Sequence, residues 1–214
     1  LGVFAYSKED GTRAGAMAAQ LSDKIKQKRR ELAMHAQHKV AVAVSEHFVG
    51  REMKVLIEGE ANASHRYTLF ARRADEEGYA QVAKLFRAAA LAESIHQRNH
   101  ERVLRGLDVE PKSPKLEDVK VGSTRENVEV PVKGESKEQE EMYPAMVKQA
   151  RRDNVPAAVT SFTYALNTEG EHARLFRDAL AQLGRNPRVD YYVGETSGDT
   201  VTRPTQKEAY RKVE

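Results

Sequence analysis

Five glutamates and two histidines stand at spacings with a direct chemical reading. Glu60 precedes Glu93 by 33 residues, and His96 follows Glu93 at i+3. Glu135 precedes Glu169 by 34 residues, and His172 follows Glu169 at i+3. The same device thus occurs twice: a lone Glu, then Glu-x-x-His. Residues at i and i+3 share a helical face one turn apart, so each Glu and its His can approach one point together. Glu138, at i+3 from Glu135, adds a fifth carboxylate.

The chemistry follows from what these groups would cost if buried alone. An ionised carboxylate without a partner costs several kcal/mol in a protein interior even after relaxation. Five of them would exceed the roughly 5–15 kcal/mol that stabilises a whole domain. No lysine or arginine falls on the same apolar seams to neutralise them. Two divalent cations would, leaving a residual charge of about −1 from five carboxylates. One Glu from each of two helices and Glu-x-x-His from each of two others is the di-iron or di-manganese carboxylate arrangement. Carboxylate and imidazole donors suit those metals better than thiolate-seeking ones. The expectation from the residues is a pair of iron or manganese ions per chain. Were these residues instead on misphased, solvent-facing helices, a plain bundle would be left.

The elements that must position these groups are four amphipathic helices. Leu56, Glu60, Ala63, Tyr67, Phe70 and Ala74 fall on one face, and Val82, Phe86, Ala89, Glu93, His96, His100 and Val103 on a second. Val128, Glu135, Glu138, Met142 and Ala145 give a third. The fourth steps 3 and 4 in alternation from Val155 through Phe162, Glu169, His172 and Phe176 to Leu183. Sustained alternation of that kind marks the inner seam of a bundle. Gly78 parts the first pair of helices, and Asn154 with Pro156 parts the second; a longer link from Gly106 to Ser123 carries Pro111 and Pro114. A short loop, a long crossover and a short loop give a ferritin-like four-helix bundle, so the fold class is all-α. Pro131 kinks the third helix if it starts near Thr124 and is harmless if it starts near Val130.

The division expected is residues 1–50 as a mostly helical N-terminal extension, 51–184 as the bundle and 185–214 as an irregular tail. A long helix is expected from Ala14 to about Val49. Its basic stretch, Lys24, Lys26, Lys28, Arg29 and Arg30, reads as a solvated face or a docking site for an acidic partner. The tail carries turn signals at Asn186-Pro187, Gly194, Ser197-Gly198 and Arg203-Pro204, with short strands expected around Tyr191–Val193. His35, His38, His47 and His65 share no seam with a carboxylate and read as surface residues. His100 reads as a core or rim histidine, with an outer role at the centre as the alternative.

Composition narrows the function classes. The chain has 214 residues, 40% hydrophobic and 31% charged, which permits a sizeable core. Thirty-five Lys and Arg against 32 Asp and Glu leave a net charge of +3, too even for a dedicated nucleic-acid binder. With no cysteine, disulfides, thiolate metal sites and cysteine nucleophiles are excluded. No run approaches the ~18–20 apolar residues of a membrane span. The basic-then-apolar layout of a secretory signal is lacking, so the expected location is cytoplasmic, or an organelle matrix if a targeting segment was removed.

Gly59-Glu60-Ala61 with Arg66-Tyr67, and then Ala92-Glu93-x-x-His96, resembles the first half of rubrerythrins. Thr124-x-Glu126-Asn127, Gly134-Glu135-x-x-Glu138, Glu141-Met142-Tyr143-Pro144 and Glu169-x-x-His172 resemble the second half. The resemblance covers residues 52–183. It implies a dinuclear non-haem iron centre that reduces hydrogen peroxide to water, with Glu60, Glu93, His96, Glu135, Glu138, Glu169 and His172 as metal ligands. It also implies that one iron shifts with redox state between Glu138 and His96, that Tyr67 and Tyr143 lie beside the metals, and that the chain forms a homodimer. Many rubrerythrins end in a rubredoxin-like domain that holds one iron on two Cys-x-x-Cys knuckles and passes electrons onward. Here Tyr191–Gly198 resembles the first knuckle with Gly194 and Ser197 where cysteines would stand. No rubredoxin-type iron can form, and the tail, deprived of its metal, is expected to lose that fold and extend as an arm on its own bundle or another subunit.

Three functions compete. The first is a peroxide reductase fed by an external electron-donor protein, with His96 when unligated, or Glu138, delivering protons. The second is a ferroxidase or oxidase acting on ferrous iron and oxygen. The third is a ferritin-like subunit without catalysis. The intact ligand set favours the enzymes, and the lost knuckles favour the third.

Overall fold

The computed structural model describes residues 4–214, with the side chains of residues 38 and 41–52 left aside. They form two compact units, Leu1–His47 and Phe48–Glu214. His38 and His47, expected at the surface, lie outside the described side chains, and His35 is exposed as expected.

In the first unit the helix expected from Ala14 begins instead at Asp23, as part of α1 (Asp23–Glu76). The residues before it close on themselves. The Gln20 amide donates to the carbonyls of Ala14 and Met17, and Ala19 takes φ 60°, which an α-helix cannot accommodate. Met17, Leu21, Ile25, Leu32 and Val40, which recur at helical spacing, are all exposed. In the basic stretch, Lys26 pairs with Asp23 at 3.1 Å.

The second unit contains the end of α1, then α2 (Ala80–Gly106), α3 (Thr124–Lys137), α4 (Tyr143–Arg152) and α5 (Pro156–Ala181). Three short strands follow, β1 (Tyr192–Gly194), β2 (Thr200–Val201) and β3 (Tyr210–Lys212). With α3 and α4 counted as one interrupted element, the helices make the expected ferritin-like four-helix bundle. Asn62 on α1 anchors the long crossover, donating to the Lys115 carbonyl and accepting from the Glu117 N–H. A capping box at Ser123 and Glu126 starts α3 at Thr124. Pro131 therefore sits inside the helix, buried, and withholds the N–H that would have bonded the Asn127 carbonyl.

A single π-helical turn, Glu138–Met142, joins α3 to α4. Such a turn inserts one residue into the helical repeat and advances the buried face. The inward positions after Glu135 are accordingly Tyr143, Val147 and Ala150, whereas Met142 is half-buried and Ala145 exposed. This corrects the sequence phasing, which carried the seam through Met142 and Ala145.

Two apolar clusters fill the bundle. One gathers Tyr67, Phe70, Phe86 and Phe176, with Phe86 and Phe176 centroids 5.2 Å apart; the other gathers Met53, Leu56, Tyr143 and Phe162. Along α2 and α5 the ionisable positions fall between the two. The tail bears out the strand expected around Tyr191–Val193 and packs on its own bundle, but it is no extended arm. It folds as an antiparallel sheet of order β2-β1-β3 that packs on α2 and α5, with Val193 fully buried.

Candidate metal centre

Four helices deliver the centre. Glu60 comes from α1, Glu93 and His96 from α2, Glu135 from α3, and Glu169 and His172 from α5, and all six are buried. The three-residue spacing on α2 and α5 puts each Glu-His pair on one inward turn, as the sequence spacing predicts. Two groups result, Glu60, Glu93, His96 and Glu169 in one and Glu93, Glu135, Glu169 and His172 in the other. Within each group the potential donor atoms lie within 4.8 Å of one another.

Glu93 and Glu169 belong to both groups, and their orientation explains why. The His96 Nδ1 lies 3.0 Å from Glu93 Oε2 and 3.4 Å from Glu169 Oε1. The His172 Nδ1 lies 3.5 Å from Glu93 Oε1 and 3.5 Å from Glu169 Oε2. Each shared carboxylate thus turns one oxygen to each imidazole. The outer pair is held by phenols: the Tyr67 hydroxyl donates to Glu135 Oε1 and the Tyr143 hydroxyl to Glu60 Oε1, both in short contacts.

Charge sets the protonation of this cluster. Burial, and then the negative charge of Glu93, pushes the Glu60 carboxyl well up; burial and Glu169 do the same to Glu135. Burial disfavours the imidazolium of His172, but the carboxylates of Glu169 and Glu93 outweigh it and hold the group at about 9. Glu169 is held below the usual carboxylate range: burial opposes this, and Glu135 and the two imidazoles prevail. Protons thus stand in for missing positive charge.

The donor set fits a pair of cations. Both oxygens of Glu169, Glu135 Oε2 and His172 Nδ1 are buried without a hydrogen-bond partner. A buried polar atom left unpaired costs about 1–3 kcal/mol, so four of them facing one another need a common partner. A cation bound by those atoms supplies it.

Glu138 stands apart from both groups. It lies on the π-helical turn, half-buried, with its carboxyl raised to about 8 by burial and then by Glu169 and Glu93. Arg66, whose guanidinium carbon lies 5.5 Å over the Tyr67 ring, acts on it from the flank with the opposite sign. His65 is half-buried rather than exposed.

Three further residues touch the centre: one the sequence read as core or rim, His100, and two it left unassigned, Gly198 and Thr200. His100, one turn beyond His96, is fully buried; its Nδ1 lies 2.7 Å from the Ser161 hydroxyl and its Nε2 3.4 Å from Glu60 Oε1. Burial lowers this imidazole to about 3, so it is neutral. Thr200 on β2 meets His172, and Gly198 meets His96. The i+4 step from His96 already marks His100 in the sequence as a core or rim residue; nothing local marks the other two.

Comparison with known proteins places the chain among similar sequences and folds. The rubrerythrin family model matches residues 53–180. Rubrerythrin-2 of Clostridium acetobutylicum is 37% identical over 134 residues, covering 62% of this chain and 72% of that protein. Nigerythrin of Nitratidesulfovibrio vulgaris is 34% identical over 131 residues, covering 61% of this chain and 65% of that one. A solved structure of fully reduced, all-ferrous nigerythrin superposes with a TM-score of 0.69 at 27% identity, covering 75% of this chain and 85% of that one.

Proposed function

The chain belongs to the rubrerythrin family, and from that premise we propose that it is a non-haem di-iron peroxidase. It reduces one hydrogen peroxide to two waters, consuming two protons and two electrons. Iron bound at the centre supplies the redox chemistry, one electron from each of two ions. These 214 residues hold no cysteine for a thiolate iron relay, so the electrons come from a donor outside them, which we take to be an electron-donor protein. The observation that carries this reading is the pair of buried groups sharing Glu93 and Glu169, with unpaired donor atoms turned inward.

The proposed ligands are Glu60, Glu93, His96, Glu135, Glu138, Glu169 and His172. Glu93 and Glu169, which belong to both groups and turn one oxygen to each imidazole, would be shared between the two ions. Glu60 and Glu135 are the outer carboxylates, held in orientation by Tyr143 and Tyr67. His96 and Glu138 would be alternative ligands to one of the ions, and whichever is not ligating would hold a proton. The Glu138 carboxyl, half-buried on the π-helical turn and raised to about 8, is suited to carry one at neutral pH.

The test is to mix the anaerobic, ferrous-loaded chain with peroxide and, separately, with air. Oxidation that is fast with peroxide and slow with air is the expected outcome. The reverse order overturns it in favour of a ferroxidase. Failure to retain about two metal ions per chain favours a subunit without catalysis. Among the described residues no helix is long and apolar enough to cross a membrane. We assign the working protein to a homodimer in the cytoplasm, which cross-linking and fractionation check.

A further inference from the structure

The C-terminal sheet has no cysteine to hold its loop through a metal, and one carboxylate ties that loop instead. Glu208, just before β3, turns back into the loop between β1 and β2. Its Oε2 accepts the N–H groups of Thr196 at 2.9 Å and Ser197 at 3.0 Å, and its Oε1 accepts the Ser197 hydroxyl at 2.5 Å. The Ser197 Oγ in turn accepts the Asp199 N–H at 3.0 Å. Gly194 makes the room: a Cβ there would lie 2.6–2.7 Å from the Glu208 carboxylate atoms. Gly194, Ser197 and Glu208 therefore form one set, in which the carboxylate occupies space that any side chain at position 194 would take.

This closed loop is pressed onto the metal centre. Gly198 has φ +83°, and a Cβ on it would fall 2.6 Å from His96 Nε2, so only glycine meets both conditions. Asn99 on α2 donates to the Thr196 carbonyl at 2.8 Å. Thr200 is fully buried; its hydroxyl donates to the Gly198 carbonyl at 3.3 Å and so accepts from His172 Nε2 at 2.9 Å. A hydroxyl that has spent its hydrogen on a carbonyl can only accept from the ring. That places a hydrogen on Nε2 and leaves His172 Nδ1 to face Glu93 and Glu169.

We propose that residues 191–214 are a metal-free positioning lobe, in which Glu208 clamps the 194–198 loop and thereby seats the Thr200 hydroxyl on His172. Thr200 is thus a positioning residue for the metal centre, acting through His172. This second half rests on the metal reading above; the clamp does not.

The test uses the full chain and two readouts. In metal-free protein, Glu208→Ala is expected to speed amide exchange at Thr196 and Ser197 by at least about tenfold, since both N–H groups lose their acceptor. Unchanged exchange overturns the clamp. Loaded with cobalt(II), Thr200→Val is expected to release one of two ions about 10–100-fold faster than wild type, the range seen when a ligand's outer hydrogen bond is removed. Thr200→Ser, which keeps the hydroxyl, restores retention and so separates positioning from packing. Equal release from wild type and Thr200→Val refutes the role of Thr200 alone. No cobalt uptake by the wild-type chain refutes the metal centre, and the role of Thr200 with it.

Discussion

In the first half of the bundle, Glu60 has two partners, the Tyr143 hydroxyl and the His100 ring at 3.4 Å. In the second half, Glu135 has the Tyr67 hydroxyl on one oxygen and no hydrogen-bond partner on the other. The halves are otherwise reciprocal, since each tyrosine reaches across to the lone carboxylate of the opposite half. The histidines differ too. His172 Nε2 is held by Thr200, whereas His96 Nε2 has no hydrogen-bond partner and lies against Gly198. The duplicated Glu-x-x-His spacing thus gives two similar groups whose supports are unlike, and His96, unsupported at Nε2, is the one proposed to alternate with Glu138.

The largest test of that comparison removes what the halves share. Glu169→Ala is expected to abolish metal retention at both positions, while Glu60→Ala, which belongs to one group, retains about one ion per chain. Elemental analysis of the purified variants decides this, and unchanged iron in Glu169→Ala refutes the assignment. A smaller contrast lies in the tyrosines. Tyr67→Phe leaves both Glu135 oxygens unpaired and should destabilise the metal-free chain by about 1–3 kcal/mol. Tyr143→Phe leaves His100 beside Glu60 and should cost about 1 kcal/mol. Urea melts of both variants give the order, and equal losses would show that His100 does not support Glu60. Gly198→Ala combines a left-handed backbone with an overlap on His96, for an expected loss of about 1–3 kcal/mol; a neutral result would detach the lobe from His96.

The bundle was legible because ligands and core share one periodicity. Glu93, His96, Glu169 and His172 lie on seams that also carry Phe86, Phe162 and Phe176, so one pattern gives both helix phase and donor set. The third helix misled beyond Glu135, because a π-helical turn changes the phase without a residue type that announces it. Tyr143 was still singled out, through family resemblance rather than spacing. The lobe was misread for a different reason. Loss of cysteines removes the known way of holding such a loop, and a replacement built from Glu208 and Gly194, 14 residues apart, leaves no local signal. Thr200 and Gly198 reach the histidines from far along the chain, and sequence periodicity cannot register a contact between a strand and a helix.

The smallest expected effect concerns how the helices of the two halves begin. The N-caps of α2 and α5, Tyr79 and Val155, make no side-chain capping bond, whereas α3 opens on the Ser123–Glu126 capping box. The helix that starts without a short loop to orient it is the one with a full cap, and it carries Glu135 a few turns on. Ser123→Ala should cost about 1 kcal/mol. The same cap makes that cost depend on pH. Hydrogen bonds from the Ser123 side chain and backbone hold the Glu126 carboxyl below its usual value, and the Thr124 N–H does the same for Glu77. A carboxyl depressed in the folded state stabilises fully above its unfolded value of about 4.5. That stabilisation is lost as pH falls through the lower, folded value. Urea melts of wild type and Ser123→Ala should therefore differ most at neutral pH and converge below about pH 4. A gap that stays constant down to that pH would mean that the Ser123 hydroxyl caps the helix without help from the ionised Glu126.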